Sequence, residues 1–147
     1  MQLPPARDSC SMDGNCQAES IVYKANVRNN VTGSEKDYFG LTEPPFKQRY
    51  ASHLTSFRHE RYASRTELSK HIWGMKHHRD EDDTVKWSIC DRVRAYSNVT
   101  ERCNLCNTET LRIITADKSR RLNTRCELVS KYRHMNKFSI SNFIPNR

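Results

Sequence analysis

The stretch IVYKANVRNNVTGSEKDYFGLTEPPFKQRYASH, residues 21–53, predicts a β-hairpin followed by a helix. Side chains from Ile21 to Val27 mostly alternate between two faces, which is the period of a half-buried strand. Gly33 lies in a polar turn segment, where glycine tolerates a positive φ. Tyr38-Phe39-Gly40 then forms a short second strand. The rest of the chain is expected to pack on this unit or to complete it.

A helix is predicted over residues 43–59, with Thr42 as its cap and Pro44 and Pro45 in its first turn. Four ring-bearing or aliphatic side chains, spaced by four, four and three residues, share one face of this helix. They are Phe46, Tyr50, Leu54 and Phe57. Arg49 and His53 lie one turn apart on a neighbouring face.

Four further elements follow this helix along the chain. They are a second helix opened by a capping box at Ser64–Glu67, a third strand at Thr84–Cys90, a third helix at Cys103–Ile114, and a fourth helix or turn-rich segment at Leu122–His134. A last short strand is expected at Phe138–Ile144. This order predicts a small α/β (α+β) fold in which helices flank one three-stranded antiparallel sheet.

The length and composition fit one small domain with a polar surface. The chain has 147 residues, of which 35% are hydrophobic, and its mean hydropathy is −0.90. Residues 1–20 are expected to form an irregular N-terminal arm, residues 21–140 the folded domain, and residues 141–147 a C-terminal tail.

A basic excess favours an anionic partner. Lys and Arg number 25 against 17 Asp and Glu, which gives a net charge of +8 and a pI near 9.4. Nucleic acid is the commonest such partner, although the charge alone is equally well explained by solubility. Basic side chains cluster in three places: Arg58, Arg61 and Arg65; Arg92, Arg94 and Arg102; and Lys118, Arg120, Arg121 and Arg125. They are expected to contact backbone phosphates without reading sequence.

Six cysteines raise the question of redox compartment. No stretch has the apolar length of a membrane span, and residues 1–16 lack the apolar core of a secretory signal, so an intracellular location with thiols or metal ligands is expected.

Cys103 and Cys106 have zinc-ligand spacing, and Cys10 and Cys16 form a looser pair. Together they would make a tetrahedral structural zinc site, which would also fix the direction of Glu109. The alternative is that all are small buried thiols.

The polar cluster on the hairpin and first helix has the groups that phosphodiester hydrolysis requires. Tyr23 and Tyr38 could orient or deprotonate water, and Arg49 offers a planar fork of donors for phosphate oxygens. A phenol is a weak base at its ordinary pKa of about 10, so Tyr23 would need its pKa tuned. Mg²⁺ prefers oxygen ligands, for which three carboxylates are candidates: Glu67, Glu109 and Glu127.

In these blocks the sequence resembles the GIY-YIG endonuclease family. Ile21-Val22-Tyr23 stands where that family has its first triplet, and Tyr38-Phe39-Gly40 stands where it has the second. Phe46-Lys47-Gln48-Arg49, with His53 one turn later, is similar to the helix that carries the family's catalytic arginine. Isoleucine replaces the first Gly and Phe39 replaces the central Ile, but neither change removes a reacting group.

The resemblance extends through the second half of the chain. Residues 103–109, Cys103-Asn104-Leu105-Cys106-Asn107-Thr108-Glu109, look like the helix that presents the single metal-binding glutamate. Leu122-Asn123-Thr124-Arg125 resembles the segment that supplies an active-site asparagine. The cysteine-bearing domains of Penelope-like retroelements share the further blocks Tyr23-Lys24-Ala25, Glu67–Trp73 and Trp87–Ile89. Those domains often have Cys-Arg-His near the C-terminus, where this chain has Tyr132-Arg133-His134, so His134 is an alternative zinc ligand.

The resemblance implies a divalent-metal-dependent DNA endonuclease that nicks or cuts DNA in the nucleus. The implied roles are Glu109 as ligand of Mg²⁺ or Mn²⁺, Tyr23 as activator of water, Tyr38 as its positioner, Arg49 as stabiliser of the transition state, and His53 and Asn123 as supports of the phosphate. In an element-derived protein the nick would prime reverse transcription, with the reverse transcriptase domain on a longer homologous chain.

Each of these assignments has a structural alternative. Glu67 would occupy the third helical position of the capping box, His53 would pack beside Arg49, and Asn123 would cap the fourth helix. For the whole chain the alternative is a catalytically inactive, zinc-stapled module that binds nucleic acid or a protein. The feature that favours the enzyme is the retained set of Tyr23, Tyr38, Arg49 and Glu109.

Overall fold

The computed structural model describes residues 10–77, 83–94 and 103–124. The elements in these segments are β1 (Ile21–Asn29), β2 (Glu35–Thr42), α1 (Phe46–Arg58), α2 (Glu67–His77), β3 (Asp83–Arg92) and α3 (Asn104–Thr115). The strands form one antiparallel sheet in the order β2-β1-β3. This confirms the predicted α+β class and the small three-stranded antiparallel sheet. Within the described segments, no helix combines the length and apolar character needed to cross a membrane.

The hairpin forms where the sequence predicts it. In the turn, the Asn29 side chain accepts the backbone N–H groups of Val31 and Thr32 at 2.9 and 3.0 Å. Gly33 follows with a φ of 73°, the left-handed conformation that glycine adopts without a steric penalty. These local bonds set the register that pairs Tyr23 of β1 with Gly40 of β2.

One face of the sheet carries α1 and α2. From β1, Ile21, Tyr23, Ala25 and Val27 are all at most 1% exposed and belong to this core. The predicted face of α1 packs there, with Phe46 and Phe57 buried and Tyr50 and Leu54 half-buried. The buried side of α2 and alternate residues of β3 complete the cluster: Leu68, Ile72 and Met75, and Val85, Trp87 and Ile89. The spacing of these side chains in the sequence is thus confirmed as the pattern of one core.

The opposite face of β1 carries the start of α3. Val22 points away from the first core and packs against Cys103, Leu105 and Cys106, all at most 2% exposed. Because β1 is the central strand, its neighbouring side chains support helices on both faces. Residues 21–23 therefore link the two clusters.

The N-terminus of α1 is not capped in the way the sequence predicts. Thr42 is the last residue of β2, and its hydroxyl donates to the Pro44 carbonyl at 3.0 Å. The first residue before the helix is Pro45, which provides no side-chain cap. Acceptors come instead from the N-terminal arm: the N–H groups of Phe46 and Lys47 bond to the carbonyls at positions 18 and 16, at 2.9 and 2.8 Å. The arm therefore supplies the partners that the first turn of a helix lacks.

The capping box of α2 lies two residues later than predicted. Thr66 Oγ1 accepts the N–H of Ser69 at 3.0 Å, and Ser69 Oγ accepts the N–H of Thr66 at 3.0 Å. This reciprocal pair is the capping box, with serine in the place usually taken by Glu or Gln. Glu67 is thus the first residue of α2 and pairs with Lys70 at 2.9 Å. The predicted capping role of Glu67 is wrong.

A short segment after α3 adds to the free edge of β2. Asp37 N–H donates to the Arg120 carbonyl at 2.7 Å, and Leu122 N–H donates to the Asp37 carbonyl at 2.8 Å. The segment runs parallel to β2 through a single bridge between Asp37 and Arg121. Residues 122–124 are not helical, and the remainder of the predicted fourth helix and last strand lies outside the described residues.

Replacing Thr66 with alanine is expected to lower the free energy of unfolding by about 1 kcal/mol, because the N–H of Ser69 loses its acceptor. Ser64→Ala is the matched control, since no hydrogen bond of the Ser64 hydroxyl occurs in the described part of the chain. Urea denaturation of both variants measures the difference. A larger loss for Ser64→Ala than for Thr66→Ala would contradict the observed box.

Candidate active site

The centre of the site is the hydroxyl of Tyr23. It lies 2.7 Å from His53 Nε2 and accepts the Nε–H of Arg49 at 3.1 Å. Arg49 and His53 are one turn apart on α1, so both reach the same atom of β1. Arg49 also hydrogen bonds to Tyr38 of the neighbouring strand. The structure therefore brings together the four hairpin and α1 residues that the sequence predicts.

His53 is enclosed by rings and is only 2% exposed. The rings of Tyr23, Tyr38, Phe57 and Trp87 lie 5.2–6.0 Å from its imidazole, centroid to centroid. Burial, with a smaller contribution from the Arg49 charge, lowers the pKa of His53 from 6.5 to about 3. The imidazole is therefore neutral at physiological pH.

Tyr23 is fully buried, and its pKa is raised well above the ordinary value for a phenol. Desolvation is the largest cause, followed by Tyr38, while Arg49 opposes the shift. The charge of Glu109 also raises this pKa, which places Glu109 within electrostatic range of the hydroxyl. The shift runs against the tuning that would make Tyr23 a base on its own, so here the phenol is neutral.

Gly40 packs directly against the Tyr23 ring. A Cβ at this position would lie 2.5 Å from Tyr23 Cζ, which is closer than Cβ atoms approach other heavy atoms in proteins. Any side chain at position 40 would therefore displace the ring or its hydroxyl. The glycine that ends the sequence motif Tyr38-Phe39-Gly40 is needed for close packing, with no positive φ involved.

Glu109 reaches the site from α3 and is 3% exposed. It lines a cavity of about 210 Å³, here called the glutamate cavity. The other lining residues are Ser64, Arg65, Thr66, Glu67, Ile113, Asn123 and Thr124. Glu109 and Asn123, predicted as parts of one site, thus face a common space.

A second cavity adjoins the first. This arginine cavity has a volume of about 290 Å³ and is lined by Arg49, Ser52, His53, Ser56, Arg65 and Thr66. Arg65 and Thr66 belong to both linings and form the shared wall. The predicted catalytic arginine and the predicted metal-binding glutamate therefore lie on either side of one short loop.

Asn123 binds β2 through both of its amide atoms. Its Oδ1 accepts the Phe39 N–H at 2.8 Å, and its Nδ2 donates to the Phe39 carbonyl at 2.9 Å. The side chain thus continues the edge pairing that the Arg120–Leu122 backbone begins. It fixes the strand residue between Tyr38 and Gly40, which makes it a positioning group.

The lining of the glutamate cavity suits a hard cation. Its donors are carboxylate, amide and hydroxyl oxygens, the ligands that Mg²⁺ and Mn²⁺ prefer. Glu109 and Glu67 are the two carboxylates present there. Within residues 10–77, 83–94 and 103–124, no three His, Cys, Asp or Glu side chains group closely enough to hold a metal ion by themselves. A cation here would be held by one or two carboxylates, with water and phosphate oxygens completing its shell.

The cysteines that the zinc prediction joins lie in separate places. Cys10 and Cys16 form a disulfide, with Cα atoms 5.7 Å apart, and Cys10 packs on the core beneath α1. Cys103 and Cys106 are buried on the opposite face of β1, and their sulfurs lie 2.8 Å apart. The disulfide leaves no thiolate on the first pair, so the four-cysteine site is not assembled in this state. Zinc binding stays a prediction, and Cys126, Glu127 and His134 lie outside the described residues.

The basic surface is partly neutralised. Arg120 lies 2.7 Å from Glu35 and 3.5 Å from Asp37, and Arg112 forms a two-point ion pair with Asp91. Arg65, by contrast, has no carboxylate at ion-pair distance within the described residues.

The sequence assigned Arg65 only to the basic surface and Ser64 to helix capping, with Glu67 also a candidate metal ligand. The structure gives Arg65 and Thr66 a place in both cavities. An arginine beside a helix N-terminus is a sequence feature that could have indicated a phosphate contact. The sequence does not show, however, where the loop that carries this arginine packs against α1.

Gly40→Ala is expected to destabilise the protein by about 1–3 kcal/mol, because the added Cβ overpacks the Tyr23 ring. Gly74→Ala is the matched control. Nothing lies within 4 Å of a Cβ at position 74, in α2, so this change should stabilise the helix by up to about 1 kcal/mol. Urea denaturation tests both, and equal effects would show that Tyr23 is not packed on Gly40.

The folded protein is expected to lose stability as the pH falls below about 6.5, the ordinary His pKa. In the unfolded chain His53 takes up a proton there, whereas in the folded protein it stays neutral down to about pH 3. The difference corresponds to roughly 1 kcal/mol per pH unit between these values. His53→Gln should remove this part of the slope. Unfolding free energies at several pH values measure it, and equal slopes in the two proteins would refute a neutral buried His53.

Comparison with protein-family models, curated proteins and solved structures finds no match to this chain. The resemblance to GIY-YIG domains therefore stays a prediction from the sequence blocks quoted above.

Proposed function

We propose that the protein is a divalent-metal-dependent DNA endonuclease of the GIY-YIG type. The observation that supports it most is the adjacency of two cavities, one with Arg49 and His53 and the other with Glu109. The two linings come from α1, the loop before α2, α3 and residues 123–124, and Arg49 and His53 also contact Tyr23 of β1. The net charge of +8 suits a polyanionic substrate.

Glu109 would hold Mg²⁺ or Mn²⁺ in the glutamate cavity, assisted by Glu67 or by water. When bound, such a cation stabilises negative charge on phosphate and leaving-group oxygens. Arg49 would hold the same phosphodiester from the arginine cavity. Its guanidinium keeps donors for phosphate oxygens beyond the Nε–H that it gives to Tyr23.

Tyr23 and His53 would move the proton of the attacking water without forming a free phenolate. The Tyr23 hydroxyl can receive a proton from water while it gives its own to His53 Nε2, 2.7 Å away. This relay suits a phenol whose pKa burial has raised, because the oxygen stays neutral throughout. Tyr38, which also bonds to Arg49, would help to place the water.

Substrate binding would make His53 a better proton acceptor. The Arg49 charge is one of the two causes that lower the His53 pKa. A phosphodiester held by Arg49 brings a negative charge that offsets this smaller cause, so the His53 pKa would be higher with DNA bound than without it, while burial still lowers it. The complex would thus favour the relay more than the free protein does.

One observation favours the second candidate, a nucleic-acid-binding module without catalysis. Tyr23 is fully buried, and its pKa shift opposes direct activation of water. If the relay does not operate, the two cavities would still bind a phosphate backbone, but no bond would be cleaved.

Wild-type protein with Mg²⁺ is expected to nick supercoiled plasmid DNA. Glu109→Gln should reduce the rate about a hundredfold or more, because it removes the charged metal ligand but keeps a similar shape. Arg49→Lys should cause a comparable loss, since lysine has no planar fork. Gel quantification of nicked circles over time gives the rates.

Glu60→Gln is the matched control for Glu109→Gln. Glu60 lies in the 3₁₀ turn Glu60–Tyr62, is exposed and pairs with His77, and it lines neither cavity. Its loss should leave the nicking rate unchanged. No nicking by pure wild-type protein, with retained DNA binding, would support the non-catalytic module; equal nicking by wild type and Glu109→Gln would refute the assigned site.

A further inference from the structure

Arg65 occupies the wall between the two cavities. It lies between the turn Glu60–Tyr62 and the start of α2, and it lines both the glutamate cavity and the arginine cavity. Arg49 lines only the arginine cavity. A group that extends from one cavity into the other must therefore pass Arg65.

The Arg65 side chain is positioned by stacking. Its Cζ lies 3.8 Å from the centroid of the Tyr62 ring, within the range of a cation–π contact. A guanidinium stacked on a ring keeps its N–H donors in its own plane, pointing away from the ring. Stacking thus reduces the conformational entropy that the side chain would lose on binding a ligand.

In the described part of the chain no carboxylate lies at ion-pair distance from Arg65, although two carboxylates line the same glutamate cavity. Within the described segments no ion pair involves it, and the nearest acidic side chain along the chain, Glu67, pairs with Lys70 at 2.9 Å. Hydroxyl groups of Ser64 and Thr66 flank it in the glutamate cavity. A cation with free in-plane donors beside hydroxyls at a cavity wall is a site for a phosphate group.

We propose that Arg65 binds the DNA phosphate adjacent to the one that is cleaved. Arg49 and a cation held by Glu109 would bind the scissile phosphate from the two cavities, and Arg65 would bind its neighbour on the same strand at the shared wall. This inference rests on the proposed nuclease function and extends it to a second phosphate-binding residue. It assigns the loop before α2 to strand positioning, because two contacted phosphates fix the direction of the strand across the site.

Arg61 provides a matched control within the same cluster. Its Cζ lies 4.6 Å from the centroid of the same Tyr62 ring, so it carries the same charge and a similar stacking contact. It lines neither cavity. Replacing either arginine with alanine changes the net charge equally, and only the position differs.

The test measures DNA binding by the full chain in a Glu109→Gln background, in which cleavage is expected to be slow enough for binding to be measured. A fluorescent duplex contains the nick site mapped with the active protein. In a set of such duplexes, one phosphate at a time is replaced by an uncharged methylphosphonate. Dissociation constants are measured by fluorescence anisotropy for the Arg65→Ala and Arg61→Ala variants and for the background protein.

Arg65→Ala is expected to weaken binding about tenfold, because it removes a direct phosphate contact. Arg61→Ala should weaken binding by no more than about threefold, because it removes only a nearby charge. The background protein and Arg61→Ala should both lose affinity when the phosphate next to the nick is neutralised. Arg65→Ala should be insensitive to that replacement, because its contact there is already missing. Arg65→Lys, which keeps the charge, should retain part of the sensitivity.

Equal effects of the two alanine variants, with both still sensitive at the same phosphate, would overturn the inference while leaving the nuclease proposal intact. Absence of DNA binding by the background protein, or of nicking by the wild type, would overturn both. Urea midpoints of the variants show whether each is folded. Since Arg65 is exposed, its replacement should leave the midpoint unchanged.

Discussion

The bonds at the Tyr23 hydroxyl are what the rest of the site depends on. A buried phenol loses the hydration of its oxygen, and contacts to Arg49 and His53 compensate for that loss. Since the ring rests on Gly40 and is surrounded by other rings, the hydroxyl cannot move to satisfy a displaced partner. The relative position of the hairpin and α1 is therefore fixed by the hydrogen bonds at this hydroxyl as well as by apolar packing.

The site combines two neutral buried side chains with two charged arginines. Tyr23 and His53 are buried and uncharged, whereas Arg49 and Arg65 are charged side chains that line the cavities. Burying an uncompensated charge would be far more expensive than burying neutral groups that bond to each other.

Local pattern was sufficient for most of the elements and for half of the site. The strand period of residues 21–27, the four-residue steps in α1 and the alternation around Trp87 each depend on neighbours in sequence. The start of α2 was misplaced because Ser64 and Thr66 are both good caps, and only the packing of the helix decides between them. The cysteine prediction depended on a contact between distant segments, and spacing along the chain contains no information about which face of the sheet each pair occupies. The sequence does not show the place of Arg65 between the cavities for the same reason, because that place depends on how the loop before α2 packs against α1.

The N-terminal arm has a consequence for the modularity of the domain. Its carbonyls at positions 16 and 18 accept the first amides of α1, the helix that carries Arg49, and its disulfide between Cys10 and Cys16 closes a loop that ends at the first of these two positions. The motif blocks begin at Ile21, yet a unit cut at that residue would lose the acceptors that hold the start of α1. The smallest segment that could be transferred intact from one protein to another therefore starts at or before Cys10. Recombination boundaries drawn from motifs alone would fall inside the folding unit.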